Sequence, residues 1–247
     1  MTVPPRLRVV GPGRAGGALA LALSRAGWDV VGQLGRGDDV ASALDGTDLL
    51  VVAVPDHAIA EVAAAVAPND RAVIAHLAGS LGLEVLGGHE RTAALHPLVS
   101  LPSADLGADR LGSGAWFAVA GDPLVQRAVA DLNGQWFEVA DGDRARYHAA
   151  AAIASNHLVA LLGQVERVAA SIGVPPEAYL DLARASLENV ALLGPAAALT
   201  GPVARGDWDT VARHLAALDP TEHEAYRALA AAARRLVDDR GVRFDDA

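Results

Sequence analysis

The sequence predicts an α/β domain built on a mostly parallel sheet, followed by an all-α C-terminal domain. Two observations carry this. From residue 6 to about 140, short β-branched runs alternate with alanine-rich segments of helical length. Beyond about residue 143 the strand-like runs stop and only helical segments follow.

The strand-like runs are Leu7–Val10, Asp29–Gly32, Leu49–Val54, Ala72–His76, Thr92–Leu95, Trp116–Ala120 and Trp136–Val139. They are apolar without strict alternation, as expected of parallel strands covered on both faces. Gly17–Ala26, Ala58–Ala67 and Pro123–Leu132 lie between them as helices. This alternation implies right-handed crossovers joining parallel strands. In the second half, Arg144–Ile172 reads as one long helix ended by Gly173 and Pro175-Pro176. Glu177–Leu193, Trp208–Leu218 and Glu222–Asp238 follow, with Asp207 as an N-cap and Thr221 with Glu224 as a capping box. The expected domains are therefore 1–142 and 143–247.

Composition narrows the function classes. The chain of 247 residues carries a net charge of −10. That balance disfavours nucleic-acid binding, which needs a basic face, and fits small-molecule partners. No cysteine is present, which removes disulfides, thiolate metal sites and a Cys nucleophile. No run approaches the roughly 20 apolar residues of a membrane span. A soluble, cytoplasmic protein without membrane contact is expected. Neither HExxH nor GxSxG occurs, so metal and serine-hydrolase chemistry are not expected.

The most specific motif is Gly11-Pro12-Gly13-Arg14-Ala15-Gly16, placed between the first strand and the first helix. In a strand–turn–helix unit this is a Rossmann dinucleotide-binding fingerprint. Gly11 makes the tight turn, Gly13 lets backbone approach a pyrophosphate, and Gly16 lets the helix lie close to the strand. Free N–H groups at the helix start then face phosphates. The second strand ends Val31-Gly32-Gln33-Leu34-Gly35-Arg36-Gly37, with no carboxylate between Asp29 and Asp38. An acid there usually holds the ribose hydroxyls of NAD. Arg36 instead suits a 2′-phosphate, unless it is a solvated loop charge. NADP is the expected cofactor, with NAD as the alternative.

Ligands collect at the carboxyl ends of parallel strands. Val54-Pro55 at the third strand end would flank the cofactor, as would His76 at the fourth. His96 closes the next strand, and an imidazole suits proton transfer near neutrality. Each histidine has the alternative of a structural role, hydrogen-bonded to backbone. In the long helix, Ser155 lies about 20° from His148 and Asn156 about 80° from it, on one broad face. Ser and Asn inside an alanine-rich helix lower its propensity, which points to substrate contact or inter-helix packing. Thr200 and Arg205 lie in a polar loop between helices. Arg205 suits a substrate carboxylate, with an ion pair to Asp207 as its alternative.

Val54-Pro55-Asp56, His76-Leu77-Ala78-Gly79-Ser80, His96-Pro97-Leu98, Tyr147-His148, Ser155-Asn156-His157-Leu158, Leu199-Thr200-Gly201-Pro202 and Arg205-Gly206-Asp207 carry a resemblance. The chain resembles a bacterial two-domain family that joins a Rossmann-like domain to a helical domain of unknown function. That family is distantly similar to 6-phosphogluconate dehydrogenase, pyrroline-5-carboxylate reductase and ketopantoate reductase. The resemblance implies an NAD(P)H-dependent reductase of a small 2-oxo acid such as ketopantoate, in pantothenate biosynthesis. It also implies a homodimer formed through the helical domain. In this reading His96 or His148, as imidazolium, protonates the alkoxide. Asn156 and Ser155 orient the oxygen, and Thr200 and Arg205 bind substrate. Related hydroxyacid dehydrogenases carry a Lys four residues before the Asn, and here that position is Ala152. An imine reductase and a non-catalytic NADP-binding regulator are the alternatives.

Overall fold

The computed structural model describes residues 3–239. The described residues form two compact units that divide between Ser155 and Asn156. Tyr147 and His148 lie in the first unit and pack their rings against His96.

The first unit is organised by seven strands and five helices. In chain order they are β1 (Arg6–Val10), α1 (Arg14–Arg25), β2 (Asp29–Leu34), β3 (Leu49–Val52), α2 (Ile59–Ala65), β4 (Val73–His76), β5 (Thr92–Pro97), α3 (Ala104–Leu111), β6 (Trp116–Gly121), α4 (Leu124–Asp131), β7 (Gln135–Glu138) and α5 (Arg144–Ala152). They form one sheet of order β2-β1-β3-β4-β5-β6-β7. This is the expected Rossmann-type α/β domain.

Residues on the two strand faces feed two separate cores. Leu7, Val9, Leu49, Val51, Ala93, Leu95 and Phe117 pack with Leu19 and Leu23 of α1 and Leu111 of α3. Leu50, Val52 and Ile74 pack on the other face with Ile59 and Ala63 of α2 and with Leu44 and Leu86. Coverage on both faces explains the unbroken apolar runs. α1 and α3 approach closely, since a Cβ at Gly107 would lie 2.7 Å from the Ala18 Cβ.

All strand pairs are parallel except β5 with β6, which is antiparallel with Pro97 opposite Phe117. The sheet is thus mostly parallel, as expected, with β5–β6 as its antiparallel pair among the described residues. The connection holds only the eight-residue α3, capped by Ser103 Oγ and packed on α1. It leaves and re-enters at the same end of the strands, so β6 runs opposite to β5.

After α5 comes a π-helical turn at Ile153–His157. The expected uninterrupted helix is therefore broken around Ser155 and Asn156, and regular 100° spacing does not hold there. Such single π-turns are uncommon and recur at functional sites.

The second unit comprises α6 (Leu158–Ser171), α7 (Pro176–Leu193), α8 (Pro195–Ala198), α9 (Pro202–Arg205), α10 (Trp208–Ala217) and α11 (His223–Asp239). Asp207 caps α10 by accepting from the Thr210 N–H and hydroxyl, as expected. The predicted Thr221–Glu224 box is replaced by Asp219, which accepts from the Thr221 N–H and hydroxyl. Glu222 is buried and takes a bidentate pair from Arg167, at 2.6 and 3.0 Å. That pairing fastens the start of α11 to α6, and the Arg167 guanidinium holds the Glu222 carboxyl below its usual range. No helix of the described residues is long and apolar enough to cross a membrane.

Leu95 is fully buried in the middle of β5. Leu95→Ala should cost about 2–5 kcal/mol, measured by urea unfolding. A loss under about 1 kcal/mol would show that β5 is not tightly packed.

Candidate functional site

The glycine turn is built by close approach. Gly11 has φ +91°, and a Cβ there would lie 2.5 Å from the Ala53 oxygen and 3.1 Å from Val54 Cγ1. Its N–H donates to the Leu34 carbonyl at 2.8 Å, tying the end of β2 to the turn. A Cβ at Gly16 would lie 2.8 Å from the Ala53 Cβ and 2.9 Å from Val9 Cγ1. These two glycines are demanded by packing.

Gly13 is not. Its φ of −77° suits any residue, and no other part of the protein lies within 4 Å of a Cβ placed there. Gly13 faces open space at the N-cap of α1, where no side chain caps the free N–H groups. Pro12, Gly13 and Arg14 are exposed and Ala15 is partly buried. This is a cradle shaped for a pyrophosphate. Arg36 is exposed in the turn two residues past Leu34. The nearby Asp38 carboxylate accepts from the Gly35 N–H at 2.7 Å and so shapes this turn. Val54 and Pro55 border the same turn at the end of β3. The residues fit a dinucleotide, with Arg36 suited to a 2′-phosphate.

A second cluster lies at the carboxyl end of β5. His96 Nδ1 is 2.6 Å from the Tyr147 hydroxyl, and its ring meets the His148 ring edge-on at 5.8 Å between centroids. Gly79 permits this meeting. A Cβ there would lie 2.7 Å from His148 Cδ2 and 2.9 Å from His96 Nε2. The Ser80 hydroxyl donates to Asp56 at 3.0 Å, joining this loop to the segment after β3. Phe137 backs Tyr147 edge-on at 5.7 Å.

The electrostatics contradict one expectation. Burial pushes the His96 imidazole down to about 4, and the charges of His148 and Arg144 add to that. His96 is therefore neutral at pH 7, not the expected imidazolium. Burial pushes the Tyr147 hydroxyl up to about 12, so it stays protonated and can donate. Because the imidazole is neutral, one partner donates to the other according to the tautomer, and with the proton on Nδ1 the Tyr147 O–H is left to donate elsewhere.

His76, expected beside the cofactor, is fully buried. Its Nδ1 accepts from the Ala78 N–H at 3.1 Å, and its Nε2–H donates to the Gly82 carbonyl at 3.1 Å. It has no nitrogen left for a ligand and instead shapes the loop that carries Gly79. The structure thus brings His96 and His148 together and gives His76 a backbone role. Ser155 is exposed in the π-turn. In the second unit Asn156, Thr200 and Arg205 are exposed, and no salt bridge joins Arg205 to Asp207. Among the described residues no group of acids and histidines is arranged to hold a metal ion.

The sequence reading missed Tyr147 and Arg144 as site residues. Tyr147 was legible as the neighbour of His148. Arg144 gave no signal, since an Arg opening a helix ordinarily reads as a solvated charge.

The neutral histidine makes folding pH-dependent. An unfolded imidazole binds its proton near pH 6.5 and the folded one only near 4. Within that window the unfolded chain holds the extra proton, so stability falls as pH drops. At about 1.4 kcal/mol per pH unit the loss reaches about 3 kcal/mol near pH 4. Urea unfolding at pH 7.5 and 4.5 should show a smaller acid loss for His96→Gln than for the wild type. Equal losses would refute the assignment.

A family model described as a domain of unknown function, DUF2520, matches residues 118–233. No curated protein matches the sequence. Solved structures do resemble it. A Bacteroides fragilis protein assigned as an NADP oxidoreductase is 21% identical, with TM-score 0.79, over 94% of this chain and 98% of that one. An Aspergillus terreus reductive aminase, in complex with NADPH and ethyl-5-oxohexanoate, is 18% identical, with TM-score 0.68, over 96% and 95%. A pyrroline-5-carboxylate reductase of Streptococcus pyogenes is 15% identical, with TM-score 0.62, over 93% and 98%. At these identities the likeness establishes a shared fold.

Proposed function

We propose that the chain is an NADPH-dependent reductase of a small 2-oxo acid, with ketopantoate as the first substrate to test. The observation that carries this is the hydrogen-bonded Tyr147–His96 pair on the same sheet as the uncapped glycine turn. Both stand at carboxyl ends of parallel strands, β5 and β1, three strand spacings or about 14 Å apart. The resemblance to NADP oxidoreductase structures over nearly the whole chain supports it.

The residues Gly11 to Gly16 would hold the pyrophosphate, Arg36 the 2′-phosphate, and Val54-Pro55 would border the cofactor. The bound nicotinamide supplies a hydride to the substrate's electrophilic carbon. The chain supplies the proton. No lysine occurs anywhere in the sequence, so the amine donor of related dehydrogenases has no equivalent. Tyr147 and His96 take that role here, with His148 packed alongside to orient the substrate. Ser155, Asn156, Thr200 and Arg205 are proposed to contact substrate.

The second reading is a cyclic-imine reductase, favoured by the resemblance to a pyrroline-5-carboxylate reductase and a reductive aminase. An iminium accepts hydride without a strong acid, so it depends less on Tyr147. The third is a non-catalytic NADP-binding regulator. We also propose a homodimer. The 18-residue α7 has no buried residue and exposes Leu182, Leu187, Leu192 and Leu193, an apolar surface of the kind that interfaces cover.

Loss of NADPH absorbance should follow addition of ketopantoate or another 2-oxo acid. Turnover only with cyclic imines would select the second reading, and tight NADPH binding without turnover the third. Arg36→Ala should weaken NADPH binding by about tenfold or more and leave NADH nearly unchanged. A KM rise in Asn156→Ala and Arg205→Ala tests the substrate contacts. Light scattering should give twice the chain mass, and Leu187→Glu should lower it.

A further inference from the structure

Arg144 opens α5 and is fully buried. Its Nε donates to the Asp141 carboxylate at 3.2 Å. Both terminal nitrogens are buried with no hydrogen-bond partner. A guanidinium in that state is costly, and the pairing with Asp141, itself mostly exposed, offsets little of the cost. The guanidinium stands close enough to the imidazole–phenol cluster for its charge to act on both His96 and Tyr147. Arg144 stands one helical turn before Tyr147 on α5. Asp141, its partner, lies against Gly82, where a Cβ would come within 2.9 Å of the Asp141 carboxyl carbon. Gly82 in turn accepts from His76. The guanidinium thus sits at the foot of the loop and helix that present His96, Tyr147 and His148.

We infer that Arg144 is a positioning residue whose permanent charge favours proton release from Tyr147. This rests on the reductase reading. When hydride adds to the substrate carbonyl, the C=O electron pair moves onto oxygen. The Tyr147 O–H bond breaks, its proton goes to that oxygen, and the phenolate remains. The buried guanidinium stabilises this anion. His96 then returns a proton from Nδ1 while Nε2 takes one from solvent, so the imidazole ends neutral. Arginine suits the post because it cannot lose its charge. The field of Arg144 acts on all three groups, lowering Tyr147, His96 and His76 alike. Around His96 the other charged or titratable groups are His148, His76, Asp56 and Tyr147.

The test needs no turnover for its first arm. Histidine ring resonances of the cofactor-free protein are followed from pH 3.5 to 8 by NMR, with His96→Gln identifying the His96 signal. Arg144→Met should raise the His96 midpoint above about 4 by about half a pH unit or more, and Arg144→Lys should leave it in place. An unchanged midpoint in a folded Arg144→Met protein overturns the inference.

The second arm is kinetic. Tyr147→Phe should lower kcat by about 100-fold or more with little change in KM. Arg144→Met should lower it at least about tenfold, and Arg144→Lys should restore it at neutral pH. Equal kcat in Arg144→Met and wild type overturns the inference. If Arg144→Met does not fold, Arg144→Lys decides. A buried lysine loses its proton as pH rises, so its kcat should fall on the alkaline side where the wild type holds. Parallel profiles refute the role. Absence of wild-type turnover on every substrate, with the NMR shift present, refutes the reductase reading and the catalytic role while leaving the charge coupling intact.

Discussion

The structure of the first unit depends on the space that two missing methyl groups leave. At Gly11 and Gly16 the ends of β1 and β3 and the start of α1 converge so closely that any side chain would overlap backbone or Val9. The Gly11 N–H bond to Leu34 adds the end of β2 to the same point. Three strand ends and a helix start are thereby fixed relative to one another. The free N–H groups of α1 are aimed by that convergence, and Gly13 opens outward between two glycines that face inward. The same economy recurs at Gly79, where a missing side chain lets two imidazoles meet.

The inner strands β3 and β4 were legible because every residue is buried, which leaves an unbroken apolar signature. The glycine turn was legible because its chemistry is local. The helix α3 was not anticipated. Ala104–Leu111 contains Gly107 and two Asp residues, a composition that reads as loop. It is helical because Ser103 caps it and Gly107 lets it lie on Ala18. The reversed β6 follows from that helix and was equally hidden. The π-turn at Ile153–His157 was hidden because the alanine-rich sequence reads as regular helix.

The site divides the same way. His96 and His148 stood out by type and by position at a strand end and on the long helix. The protonation of His96 did not, since it depends on burial and on charges brought in from other segments. Arg144 and Asp141 come from the segment entering α5, Asp56 from the segment after β3, and Gly79 from the loop after β4. Glu222 and Arg167 show the same in the helical unit, paired across 55 residues of chain. Residue type announces chemistry, but ionisation state is a property of the neighbourhood.

His76 fixes its loop through opposite roles on its two nitrogens, one accepting from Ala78 and the other donating to Gly82. That arrangement admits a single tautomer and a single charge. A proton added at Nδ1 would set two donors face to face and push Ala78 away. The loop bearing Gly79 therefore depends on that one tautomer for two of its backbone hydrogen bonds. The hold on the loop is strongest while the imidazole is neutral, and burial keeps it neutral by lowering its pKa.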